Sequence, residues 1–307
     1  MDIKENDSKL FTPGPLTTSL TVKEAMLHDL GSRDTIFLNI IAHIRGKLLE
    51  LADVSADEHA AVLVQGSGTY AVEATFSTTI PHQGAKVLII ENGAYGQRMT
   101  KICRILNIPH DVISFHETER VQVDLVANKL QSNHYTHVAI IHCETSSGIL
   151  NPIEEIGQLV YDHGTTKGST VYIVDSMSAF GAIPNLSDQL NSILNASLPF
   201  RYEANNKLIR EKMKTLGFIE LIKPEYQTYI ITSYYYPSAP FNFQTFYNKL
   251  SEKHQLIYPG KTTETDCFRI GNIGRLFEND MATLAECIKE VCEEMNIELP
   301  LTNNTKQ

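Results

Sequence analysis

Short, continuously apolar runs alternate with segments of helical periodicity from residue 60 to residue 175. AAVLVQG (60–66), KVLIIEN (86–92), HDVISF (110–115), HVAIIHCE (137–144) and TVYIVD (170–175) read as strands. Between them, 69–80, 95–107, 123–133 and 152–164 read as helices, with Asp124 near the start of the third and Pro152 in the first turn of the fourth. Strands that are apolar throughout are buried on both faces, and a helix after each one supplies the cover. The pattern therefore predicts an α/β domain with a parallel sheet. Beyond residue 190 the rhythm changes. A helix over 200–217 ends at Gly217, a strand covers 229–236, a helix 241–254, a strand 267–274 and a helix 278–296, the last capped by Asn279. This predicts two units. Residues 1–190 form a large domain with an N-terminal arm (1–30), and 191–307 a smaller α+β domain whose last residues, LTNNTKQ, fray.

Composition narrows the function classes. The chain has 307 residues, 20% of them charged, and a formal net charge of −10. A nucleic acid or an anionic membrane would require a basic face, so neither is expected as a partner. The start, MDIKENDSKL, lacks an apolar signal core, and no apolar run is long enough to span a bilayer. Five cysteines are an odd number without paired spacing, which fits free thiols in a reducing cytoplasm. Cys287 and Cys292 read as ordinary residues of a late helix, and no metal is expected.

Several stretches carry chemistry. In GSGTYAVEA, Gly66, Ser67 and Gly68 lie between a strand and a helix that starts near Thr69. Exposed amides and the positive end of the helix dipole favour an anion such as a phosphate. A tight strand-to-helix turn uses the same residues. The letters also fit the dinucleotide fingerprint G-x-G-x-x-A, with Glu91 as a ribose acceptor, so a nicotinamide-dependent oxidoreductase is a rival. Tyr95 follows the second strand, on the rim where open α/β sheets bind ligands, and its ring can stack on a flat heterocycle. Thr145, Ser146 and Ser147 occupy the rim of the fourth strand. Asp175 ends an apolar run. A buried carboxylate needs a cation or several donors, and a protonated ring nitrogen is one such cation. Backbone amides of the next turn are the other solution. Arg269 lies inside the apolar strand FRIGNIG, where a guanidinium suits a carboxylate or a structural ion pair. Arg33, in the loop-like GSRD, is a cation available to an anionic group or an ordinary surface residue.

Taken in order, FTPGPLTTS, GSRD, VQGSGTYAVEA, NGAYG, ETSSGILNPIEEIG, VDSMSAFGAIP, YPGK and CFRIGNIG resemble the 2-aminoethylphosphonate–pyruvate transaminases, class V aminotransferases of the aspartate-aminotransferase fold (fold type I) that use pyridoxal 5'-phosphate. The resemblance covers roughly residues 10 to 299. It implies that Ser67, Gly68 and Thr69 hold the cofactor phosphate and that Tyr95 stacks on the ring. It implies that Thr145 contacts the ring's hydroxyl side, and that Asp175 pairs with the ring nitrogen. Arg269 would clamp the substrate carboxylate and Arg33 the phosphonate. The substrates would be 2-aminoethylphosphonate and pyruvate, and the assembly a cytoplasmic homodimer.

One departure is large. Such enzymes continue past the aspartate through two strands and a turn bearing the lysine that forms the Schiff base with the cofactor. Here that block of several tens of residues is missing around Leu190–Asn191, and neither Lys207 nor Lys261 matches the missing lysine. The expectations are turnover near background and two strands absent from the large-domain sheet. Two lost strands leave a gap of roughly 10 Å, which closes up or leaves unpaired edges, apolar surface and poor stability. The alternative is a non-catalytic binding or regulatory protein on the same fold.

Overall fold

Consecutive valines and isoleucines decide the centre of the molecule. The computed structural model describes residues 7–183, 197–238 and 240–302. Its N-terminal elements are β1 (Lys9–Leu10), α1 (Leu20–Ala25), α2 (Thr35–Leu51) and α3 (Gly68–Thr79). Then follow β2 (Val87–Glu91), α4 (Ala94–Ile105), β3 (His110–Ser114), α5 (Val123–Ser132), β4 (His137–Ile141), β5 (Cys143–Glu144), β6 (Ile149–Leu150), α6 (Ile153–Lys167) and β7 (Val171–Asp175). The C-terminal part holds α7 (Ser197–Thr215), β8 (Ile231–Tyr235), α8 (Phe243–Glu252), β9 (Gln255–Leu256), β10 (Tyr258–Pro259), β11 (Cys267–Gly271) and α9 (Glu278–Glu294).

Strands β3-β2-β4-β7 form one parallel sheet in that order. One face packs on α3 and α4 through Phe76, Val87, Ile89, Met99 and Cys103. The other packs on α5 and α6 through Leu88, Ile90, Val126, Ile140 and Ile156. Both faces of β2 and β4 are thus dry, as continuous apolar runs require. The C-terminal part is an antiparallel sheet, β10-β11-β8, covered by α7, α8 and α9. The N-terminal arm joins it: β1 pairs in parallel with β9, and Phe11 is buried in the C-terminal core. The expected domain junction at Leu190–Asn191 lies outside the described residues.

The structure corrects four expectations. Residues 60–66 form no strand, and Val62, Leu63 and Val64 are 78%, 44% and 42% exposed. A strand exists only in a ladder, and among the described residues none lies beside this segment. Strand 137–144 stops at Ile141. Cys143 and Glu144 turn away to pair with Ile149–Leu150, which bends the chain behind the sheet's carboxyl edge. Pro152 caps α6 from outside rather than occupying its first turn. Helix α9 is capped at Phe277, whose backbone N–H donates to the Asp280 carboxylate at 2.9 Å, so Asn279 lies inside it.

The side of β7 away from β4 is open among the described residues. β7 is an edge of the sheet among the described residues, with Val171 exposed. A gap of about 300 Å³ separates it from α3, bounded by Gly68, Ala71, Val72, Thr75, Ile173 and Met177.

Candidate active site

The carboxyl edge of the parallel sheet opens onto a cavity of about 500 Å³. This is where open α/β sheets bind ligands. Ser67, Gly68, Thr69, Tyr95, Thr145 and Asp175 all line it, although they come from four separate stretches of sequence. Gly14 and Pro15 of the arm, Arg98, Cys143 and Met177 also line it.

The anion end is the start of α3. Gly66 takes φ +122°, a conformation that only glycine adopts without strain, and a Cβ there would meet the Tyr70 ring at 2.7 Å. That turn delivers Ser67 as the N-cap, extended and without a side-chain capping bond. The first amides of α3 are left for another acceptor. Arg98 donates from Nη1 to Thr69 Oγ1 at 2.8 Å beside them.

The aromatic wall depends on a buried acid. Glu144 is fully buried and accepts the backbone N–H groups of Tyr95 and Gly96, each at 3.2 Å, and of Ser146 at 3.2 Å. A carboxylate at the start of α4 also meets the helix dipole. Burial raises its pKa, and the hydrogen bonds oppose that rise. Gly93 makes the approach possible, since a Cβ there would stand 2.5 Å from the Glu144 side chain. Glu144 thereby fixes the backbone that carries Tyr95. The Tyr95 ring lies 5.0 Å from the Arg98 guanidinium and 5.2 Å from Lys261 Nζ.

Asp175, at the end of β7, lines the same cavity. Its Oδ1 accepts the Met177 N–H at 3.1 Å, and burial raises its pKa, with Met177 and then Arg98 opposing. Among the described residues, no Lys or Arg forms an ion pair with it. Behind it, the His142 N–H donates to the Asp175 carbonyl at 2.9 Å, and His142 Nδ1 lies 2.9 Å from Ser176 Oγ. Burial pulls His142 down to about 4.

Arg269 and Arg33 do not line this cavity. Arg269 is 1% exposed and lies behind Thr145, donating from Nη1 to the Thr145 carbonyl at 2.7 Å and from Nε to the Pro259 carbonyl at 2.9 Å. It has no ion-pair partner among the described residues, and burial lowers its pKa. Arg33 sits exposed in the turn between α1 and α2. Glu91, the ribose acceptor of the dinucleotide reading, instead accepts the Thr100 and Ser114 hydroxyls at 2.6 and 2.9 Å. The sequence reading missed Arg98, Glu144 and His142. The motifs NGAYGQR and HCETSSG contain all three, and charge within an apolar setting was the signal available.

Among the described residues no lysine lines the cavity, and the sequence holds none between Asp175 and Lys207. Lys207 faces a separate cavity beside Gln227 and Tyr229. All five cysteines are free, and the described residues contain no cluster able to hold a metal. No described helix is long and apolar enough to cross a membrane.

The carboxyl edge of a parallel sheet, an uncapped helix start, an aromatic side chain and a buried acid thus share one cavity. The chain belongs to the class-V aminotransferase family, whose pattern matches residues 21–197, and this family uses pyridoxal phosphate. It is 35% identical to a 2-aminoethylphosphonate–pyruvate transaminase of Phocaeicola vulgatus, across 92% of this chain and 99% of that protein. That alignment runs over 363 residues, so about 80 positions have no counterpart in the 307 residues here. The fold resembles alanine–glyoxylate aminotransferase from Nostoc, at TM-score 0.82 and 18% identity, covering 95% of this chain and 97% of that one. It also resembles pyridoxamine–pyruvate aminotransferase from Mesorhizobium loti, at TM-score 0.82 and 16% identity, covering 97% and 96%.

Proposed function

We propose that this chain keeps the cofactor cavity of a 2-aminoethylphosphonate–pyruvate aminotransferase and binds pyridoxal phosphate reversibly, with turnover close to background. The observation that carries the reading is the convergence of Ser67, Thr69, Tyr95, Thr145 and Asp175 on one cavity that, among the described residues, no lysine lines. The residues fit the group. The uncapped start of α3 suits a phosphate, Tyr95 offers a ring face, and Asp175 is a buried acid without an ion-paired cation. When bound, the cofactor supplies an electron-withdrawing ring that accepts an amino group. Asp175 would hold the proton on its ring nitrogen, and Thr145 would meet its hydroxyl side. Arg269, a buried cation lacking an acid, is the natural seat for a substrate carboxylate, reached by release of its two carbonyl contacts. Arg33 remains the expected phosphonate contact. Loss of the lysine removes the proton carrier and the covalent anchor, and general acid–base catalysis alone is worth about 10²–10⁴ in rate.

The reading includes a junction of two domains near residue 190 and a cytoplasmic homodimer. Exposed Ile36, Leu38, Ile40 and Ile44 on α2 support the dimer. The test is twofold. Purified chain supplied with 2-aminoethylphosphonate, pyruvate and cofactor is expected to form alanine near the uncatalysed rate. Asp175→Asn is expected to weaken pyridoxal phosphate binding by about tenfold or more, the loss of a charged hydrogen bond. Brisk turnover, or equal binding by the variant, refutes the reading.

A further inference from the structure

Among the described residues Arg98 is the one strong cation that lines the cavity, and nothing in the resemblance gives it a role. Three observations meet at this side chain. Its Nη1 donates to Thr69 Oγ1 at 2.8 Å, so that hydroxyl oxygen accepts with one lone pair and keeps its own proton to donate. Its guanidinium lies 5.0 Å from the Tyr95 ring centroid, within cation–π range. It lines the same cavity as the buried Asp175, which has no ion pair among the described residues. Helix α4 supplies both Tyr95 and Arg98, three residues apart and so on one face.

We propose that Arg98 is a positioning residue for the phosphorylated end of the ligand: it turns the Thr69 hydroxyl into an obligatory donor toward the anion at the start of α3. This rests on the pyridoxal phosphate reading above. Before binding, the cavity carries one cation and one anion, Arg98 and Asp175. A phosphorylated pyridinium brings both complementary charges. The ring nitrogen goes to Asp175, and the phosphate goes to the end where Arg98 and Thr69 stand. A dephosphorylated vitamer has nothing to offer that end. Arg98 should therefore matter for pyridoxal phosphate and hardly at all for pyridoxal.

The experiment compares these two ligands by equilibrium titration against the full chain, Arg98→Met, Thr69→Val and the double variant. Arg98→Met is expected to lose about tenfold in pyridoxal phosphate affinity, the scale of a hydrogen bond to a charged group. Its pyridoxal affinity should stay within about threefold of the unaltered chain. The double variant should lose no more than the larger single loss, because both substitutions remove one arrangement. Arg98→Lys keeps the charge without the planar fork and is expected to fall between, which covers the case of a poorly folded methionine variant. Absence of saturable pyridoxal phosphate binding by the unaltered chain sinks the reading of the cavity, and this role with it. If the unaltered chain binds, three results overturn the role alone: undiminished binding by the Arg98 variants, equal losses for both ligands, or additive losses for Arg98 and Thr69.

Discussion

The two halves of this molecule are built to different standards. In the C-terminal half, Tyr234, Phe246 and Phe268 are fully buried between β8, β11 and α8, and Phe11 arrives from the far end of the chain to join them. Phe268 packs against Phe218 and Tyr234 with ring centroids 5.7 and 5.6 Å apart. In the N-terminal half, α1 and α2 bury no residue, β7 is an open edge, and Val62 is 78% exposed. About 80 positions of the aligned relative have no counterpart here. An open edge of the parallel sheet and exposed apolar side chains on α2 and at residues 62–64 set the N-terminal half apart.

Substitutions can break this contrast. The largest effect belongs to Phe268→Ala, expected to cost about 3–5 kcal/mol by urea unfolding, since the neighbouring rings cannot close a cavity of that size. A loss below about 1 kcal/mol would mean that the C-terminal core is not what holds the chain together.

A smaller effect separates the halves by pH. His142 is buried and held down to about 4, so its neutral form stabilises the native state above the ordinary histidine pKa. That contribution is lost as pH falls from about 6.5 to 4, because the unfolded chain takes up the proton first, and it amounts to about 3 kcal/mol at most. The raised pKa values of Asp175 and Glu144 act in the opposite sense. The informative quantity is therefore the stability difference between the unaltered chain and His142→Asn. It should shrink as pH drops from 7 to 4. Parallel curves would remove His142 from the account.

The smallest effect is the most telling for the open side. Val62→Ser is expected to change stability by less than about 0.5 kcal/mol, as for a surface position, while reducing self-association in sedimentation. A loss of about 2 kcal/mol would show that residue 62 is packed against a layer after all.

The sequence made the sheet half largely legible because β2, β3, β4 and β7 have apolar runs that no other arrangement would bury. Residues 60–66 read equally well as a strand, yet strand propensity describes a place beside a neighbour. Without a neighbour among the described residues, the same letters lie exposed. The cavity was legible through the order of its motifs rather than through any single one. Arg98, Glu144 and His142 escaped because their roles are relations between distant positions. Glu144 grips the amides of Tyr95 and Gly96 across forty-eight residues of sequence, and no periodicity encodes that. Arg269 was legible as a buried cation, but its carbonyl partners, Thr145 and Pro259, were not.

The most direct test asks whether the cavity still takes its cofactor without a lysine. The purified chain is saturated with pyridoxal phosphate, treated with borohydride and weighed intact by mass spectrometry, beside an untreated sample that is dialysed. The account predicts saturable binding by absorbance, complete release on dialysis, and no stoichiometric covalent adduct on any lysine after reduction. One cofactor fixed per chain at a single lysine, or no saturable binding, would contradict it.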